Sequence, residues 1–97
     1  MRAERRAQHI EHTLRSALRA VHVEVVDESH RHQGHPGALQ GAGHYRVLVV
    51  SPEFEGLSRV DAQRLVYARL QDVMEEDIHA LQLKTMTPEV WQDQRGR

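Results

Sequence analysis

Between residues 3 and 21 the apolar positions Ala3, Ala7, Ile10, Leu14, Ala17, Leu18 and Val21 recur at steps of three and four. That spacing draws one stripe along an α-helix and leaves Arg5, Arg6, Glu11, Arg15 and Arg19 outside it. The period then drops to two, and Val21, Val23 and Val25 share one face of a half-buried strand. Residues 27–43 hold four glycines, one proline and little apolar material, which predicts a loop of about seventeen residues, longer than most connections. Tyr45-Arg-Val-Leu-Val-Val50 is nearly continuous in apolar character, as a strand covered on both faces requires, and Ser51 with Pro52 ends it. Ser58 followed three residues later by Asp61 is a capping box. It opens a helix with Ala62, Val66, Leu70 and Val73 inward, Tyr67 and Met74 alongside, and the acidic cluster Glu75, Glu76, Asp77 at its end. Residues 79–85 alternate as a third strand. Thr87 and Pro88 then supply an N-cap and a first helical residue for a short helix carrying Val90 and Trp91, and residues 92–97 form a polar tail.

The element order is therefore α-β-β-α-β-α. Two strands joined by one loop pair antiparallel, and the helix between the second and third strands makes a right-handed crossover that sets those two parallel. A three-stranded mixed sheet with helices packed on one face is the expected architecture, an α/β (α+β) fold. Residues 1–97 form one domain with a core of about 5–91, in which Trp91 packs its helix as core against the sheet edge.

Composition narrows the chemistry. Thirteen Lys and Arg against fourteen Asp and Glu give a net charge of −1, so no global basic field points to nucleic acid or anionic lipid. No apolar run approaches the roughly 20 residues of a membrane span, and the Arg-rich N-terminus lacks the apolar stretch of a leader. The chain has no cysteine, which removes disulfides, thiol nucleophiles and thiolate metal sites. It has eight histidines, with His30, His32, His35 and His44 inside fifteen residues. Neither a Gly-rich phosphate loop nor a metalloprotease helix motif occurs, and the expectation is a protein that is not an enzyme.

Glu24-Val-Val-Asp-Glu-Ser29, Arg31-His32 and His44-Tyr-Arg-Val-Leu-Val-Val-Ser51 resemble the BolA family. So do Phe54-Glu-Gly56, Arg64-Leu-Val-Tyr67, His79-Ala-Leu81 and Thr85-Met-Thr-Pro-Glu-Val-Trp91, and the likeness runs in order over about residues 5–91. The resemblance implies a class II KH-like fold. It also implies a partner, a monothiol glutaredoxin, and a bridging [2Fe-2S] cluster shared with that partner and glutathione, in iron homeostasis or cluster trafficking. On the same resemblance His79 is one metal ligand and His32, in the loop between the first two strands, is the second, with His35 and His30 as the other candidates there. His44 matches a family position as a surface contact.

Two histidines with one partner cysteine and one glutathione thiolate make a four-ligand set, since imidazole can replace thiolate on one iron of such a cluster. Read from the residues alone, His79 is a packed histidine in register with Leu81 and Leu83, and His32 a solvated loop residue. The alternative function is a DNA-binding transcriptional regulator of morphology or stress response. Arg46, Arg59, Arg64 and Arg69 would form its patch, and their plainer reading is a solvated charged face. Many relatives carry an Arg-His-Arg run where this chain has Ala62-Gln63-Arg64, and fewer cations release fewer counterions. The expected protein is cytoplasmic, monomeric when free and without a membrane partner.

Overall fold

The computed structural model describes residues 3–28, 43–71 and 78–96. Its elements are α1 (Ala3–Leu18), β1 (His22–Asp27), β2 (Gly43–Val50), a 3-10 turn (Pro52–Phe54), α2 (Arg59–Arg69), β3 (Ile78–Met86) and α3 (Pro88–Arg95). The sheet runs in the order β1-β2-β3, with β1 antiparallel and β3 parallel to the central β2. This is the mixed three-stranded sheet that the pattern predicts, with α1 and α2 on one face, whereas α3 reaches the other face through Trp91 against His22.

The helical stripe lands where its period puts it. Ile10, Leu14 and Leu18 of α1 are fully buried against Val23, Tyr45, Val47 and Val49, and Ala62, Val66 and Leu70 close the layer from α2. Each large aliphatic side chain withdrawn from water here contributes about 1.5–3 kcal/mol. α1 stops at Leu18 because Arg19 turns to φ 51°, the left-handed conformation that ends helices.

Several boundaries and faces differ from the expectation. Arg6 lies inside, 5% exposed: its Nη1 donates to the Tyr45 hydroxyl at 3.3 Å, with the guanidinium 5.9 Å from the ring centre. Ala17 and Val21 are exposed instead of buried, since β1 starts at His22. Asp27 pairs with Tyr45 and Gly43 with Ile78, so both ends of the expected loop belong to the ladders. α2 ends at Arg69, where the Leu70 amide bonds back to the Val66 and Tyr67 carbonyls, and Val73, Met74 and the cluster at 75–77 lie outside the described residues. The tail is helical as far as Arg95. Trp91 is half-buried outside the core cluster, and α3 buries none of its residues.

The links between layers are polar and local. Ser58 accepts from the Asp61 amide at 3.1 Å and Thr87 from the Val90 amide at 3.3 Å, as their caps predict. Gly56 sits at φ 78° between the 3-10 turn and α2, where a side chain would be strained. The outer edge of β3 is dressed by α2: the Tyr67 hydroxyl donates to the Leu81 carbonyl and Gln63 Nε2 to the Leu83 carbonyl, both at 3.4 Å.

Ser51, completely buried, joins four elements. Its hydroxyl donates to the Leu18 carbonyl at the end of α1 and accepts from the Glu53 amide of the 3-10 turn, while its amide donates to the Met86 carbonyl of β3. Ser51→Ala should therefore strand two polar groups and cost about 1–3 kcal/mol in a denaturant titration, with an unchanged slope marking a stability effect alone.

Candidate functional site

One end of the sheet gathers the ends of three strands. β1 finishes there, β2 begins, and β3, parallel to β2, begins beside it. Glu28 still donates from its amide to the His44 carbonyl at 2.8 Å, so the chain leaves the sheet after Glu28 and returns at Gly43. Both stems of the histidine-rich segment therefore rise from the end where β3 starts.

The ladder at that point carries an irregularity. Gly43 pairs with Ile78 and His44 with Ala80, so the register passes over His79. Two residues of β3 stand against one step of β2, the count that defines a bulge. The shift falls between Ile78 and Ala80, and the pairing is regular from Ala80 onward. The backbone of His79 is described and its side chain is not, while His30, His32 and His35 lie outside the described residues.

His44, half-buried, is the described histidine at this end. Beside it the Arg46 guanidinium stands 3.7 Å from the Glu28 carboxylate, which is only 12% exposed. Among the described residues no three His, Asp or Glu side chains come together to hold a metal. The chain has no cysteine, so it can offer a metal no thiolate of its own.

The four arginines do not form one patch. Arg46 faces away from α1 and α2 on the open side of the sheet and pairs with Glu28. Arg59, Arg64 and Arg69 lie on α2, five residues apart, which turns successive members by about 140° around the helix. Arg64 is further engaged by Asp61 at 3.7 Å. The expected patch is thus split across both faces of the sheet and around a helix.

A polar cluster that the sequence reading missed lies on the open face, near the other end of β1. His22 Nε2 and Glu24 Oε2 are 2.6 Å apart, and the His22 ring stacks on Trp91 with centroids 4.5 Å apart and planes inclined by 20°. Arg95 joins this arrangement, its guanidinium over the indole at 4.6 Å from the ring centre. The signal was present in the spacing. Residues 22 and 24 share a strand face, and 91 and 95 share a helix face. What the sequence lacked was the approach of α3 to β1.

Comparison with known proteins agrees with this architecture. Residues 14–90 match the family described as BolA-like protein. The chain is 36% identical over 85 residues to the DNA-binding transcriptional regulator BolA of Escherichia coli K12, covering 88% of this chain and 78% of that one. It is 36% identical over 88 residues to SufE-like protein 1 of Arabidopsis thaliana, covering 86% of this chain and 24% of that longer protein. The solved BolA domain of SufE1 from Arabidopsis thaliana superposes with a TM-score of 0.77 at 36% identity, over 88% of this chain and 94% of that one.

The stacked pair is measurable by itself. A double-mutant cycle with His22→Ala and Trp91→Ala should return a coupling of about 0.5–1.5 kcal/mol, the range for packed aromatic pairs. Strictly additive losses in urea unfolding would mean that the rings do not hold α3 to β1.

Proposed function

Because the chain belongs to the BolA family, we propose that it is an adaptor that docks a monothiol glutaredoxin and contributes imidazole ligands to a [2Fe-2S] cluster held between the two. The observation that carries this reading is the meeting of three strand ends. The bulged start of β3, with His79 passed over by the ladder, lies at the end of the sheet from which the histidine-rich segment departs and to which it returns. The stems of that segment, at Glu28 and Gly43, thereby stand at the same end of the sheet as the start of β3.

In this reading His79 is the ligand from β3, and His32 is the ligand from the segment between β1 and β2, with His35 and His30 as its alternates. A partner cysteine and a glutathione thiolate complete the four. Bound in this way, the cluster supplies an electron-accepting centre whose neutral imidazoles make it less negative, and raise its potential, relative to an all-thiolate site. The chain's own part is to present imidazoles from a rigid strand start. β3 pairs with β2 along eight register positions, at Ile78 before residue 79 and from Ala80 after it, so both neighbours of that residue are anchored in the ladder. The absence of cysteine keeps this chain from assembling such a cluster by itself, and makes it dependent on a thiol-bearing partner.

Reconstitution tests this directly. The protein mixed with a monothiol glutaredoxin, glutathione, ferrous iron and sulfide should give visible absorption and circular dichroism unlike those of the glutaredoxin cluster alone. His79→Ala should abolish or reshape that signature while lowering stability by only about 1 kcal/mol, as an ordinary point substitution does. His32→Ala should leave stability unchanged and weaken the signature in part. A His79→Ala protein that melts early yet forms the same cluster would identify His79 as a packing residue and sink the ligand assignment.

The Escherichia coli relative is named as DNA-binding, and nucleic acid is the contrasting outcome. With net charge −1 and its arginines dispersed, this chain should bind duplex DNA weakly, and the mobility shift should vanish as salt approaches the physiological range. Tight, sequence-specific retention at that salt would replace the adaptor reading with a regulator.

A further inference from the structure

At the far end of β3 from His79, some seven residues and about 20 Å along the strand, an open groove of about 350 Å³ separates α2 from α3. Phe54, Ala62 and Met86 form its apolar floor. Leu57 and Val90, 41% and 45% exposed, stand on its two sides.

The groove runs along a strand edge whose polarity can be worked out. The Ser51 amide donates to the Met86 carbonyl, so residue 86 turns its backbone groups toward β2. In a parallel pair, successive residues turn alternately toward and away from the neighbour. Leu81, Leu83 and Thr85 therefore turn theirs outward. Tyr67 and Gln63 of α2 fill the carbonyls of Leu81 and Leu83, which confirms the phase. α2 has its first residue, Arg59, at the groove, and at Thr85, which lines the same groove, no described side chain takes the carbonyl. The edge is dressed for two of its three outward residues and bare at the third.

Charge completes the picture. Arg15, Arg19, Arg46 and Arg64 each face a carboxylate. Arg59 and Lys84, the chain's one lysine, face none among the described residues, and both line the groove, which no described carboxylate lines. In a chain of net charge −1 this is a local cationic site over an apolar floor beside an unfilled strand edge.

We infer that the groove receives an extended segment of a partner protein, apolar at its centre and acidic beside it, which adds to the edge of β3 at Thr85. Backbone pairing at Thr85 would hold the segment, the floor would take its apolar side chains, and Arg59 and Lys84 its carboxylates, the mode by which sheet edges capture peptides. A nucleic-acid strand fits less well. Only two cations line the groove, and its one aromatic residue, Phe54, is buried to 4% and offers no exposed ring for a base. This site does not depend on the cluster reading, because it lies at the opposite end of β3.

The test uses the whole, ¹⁵N-labelled chain and a blocked hexapeptide of two central valines flanked by aspartates. At millimolar peptide, amide shifts should concentrate in residues 54–62 and 84–94, and exchange of the Thr85 amide should slow. Arg59→Glu and Val90→Glu, both at exposed positions, should each weaken binding by about tenfold or more while leaving the free protein's spectrum folded. The inference is overturned if the groove stays silent, or if a peptide with lysines in place of the aspartates binds as well. It is also overturned if N-methylating the central peptide bonds has no effect, or if a thymidine hexanucleotide binds the groove in preference to the peptide.

Discussion

The fold hangs on β2 having two neighbours at once. Its even-numbered residues from His44 to Val50 turn their backbone groups to β1, and its odd-numbered residues from Tyr45 to Ser51 turn theirs to β3. The side chains of Tyr45, Val47 and Val49 fill the core beneath α1 and α2, and Val50 is equally buried. No position on this strand can slip by one residue without exposing the core face and unpairing both neighbours. Ser51 then extends the strand by one residue and uses its hydroxyl and amide to fix the ends of α1 and β3 against the 3-10 turn. The placement of every other element follows from that seam.

How far the sequence could be read depended on whether a feature was local. The stripe Ile10, Leu14, Leu18, the strand 45–50 and the caps Ser58 and Thr87 are written in spacings of two to four residues, and the structure contains them all. Arg6 was assigned to solvent by its charge, although it stands one helical turn before Ile10. Its place inside depends on Tyr45, 39 residues away, whose hydroxyl and ring receive the guanidinium. Trp91 was assigned to the core as the residue packing its helix on the sheet edge, and its actual surroundings depend on where α3 meets β1. The candidate site was legible as a set of residue types and as a family likeness. Its bulge was not, because the ladder shift at residue 79 depends on how β3 seats against β2.

β3, one of the sheet's two edge strands, carries different groups at its two ends. Its start lies beside His44 and the stems at Glu28 and Gly43, with Arg46 close by. Its finish lies among Arg59, Lys84 and apolar side chains. Between them Tyr67 and Gln63 occupy the carbonyls that a foreign strand would need. That arrangement confines strand addition to one end, as natural sheets do when they protect an edge. The two proposed surfaces lie at opposite ends of one strand, so molecules seated on both would not crowd each other.

Trp91 gives the protein a built-in optical probe. It is the only tryptophan in the chain, and its indole contacts both an imidazole from β1 and a guanidinium from its own helix. Indole emission is sensitive to both kinds of contact and to the water that replaces them when they part. Val90 and Gln94, which line the groove, belong to the same helix as the indole. Any event that tilts α3 therefore changes the colour or yield of a single emitter, and the unlabelled protein reports the seating of its last helix in its own fluorescence.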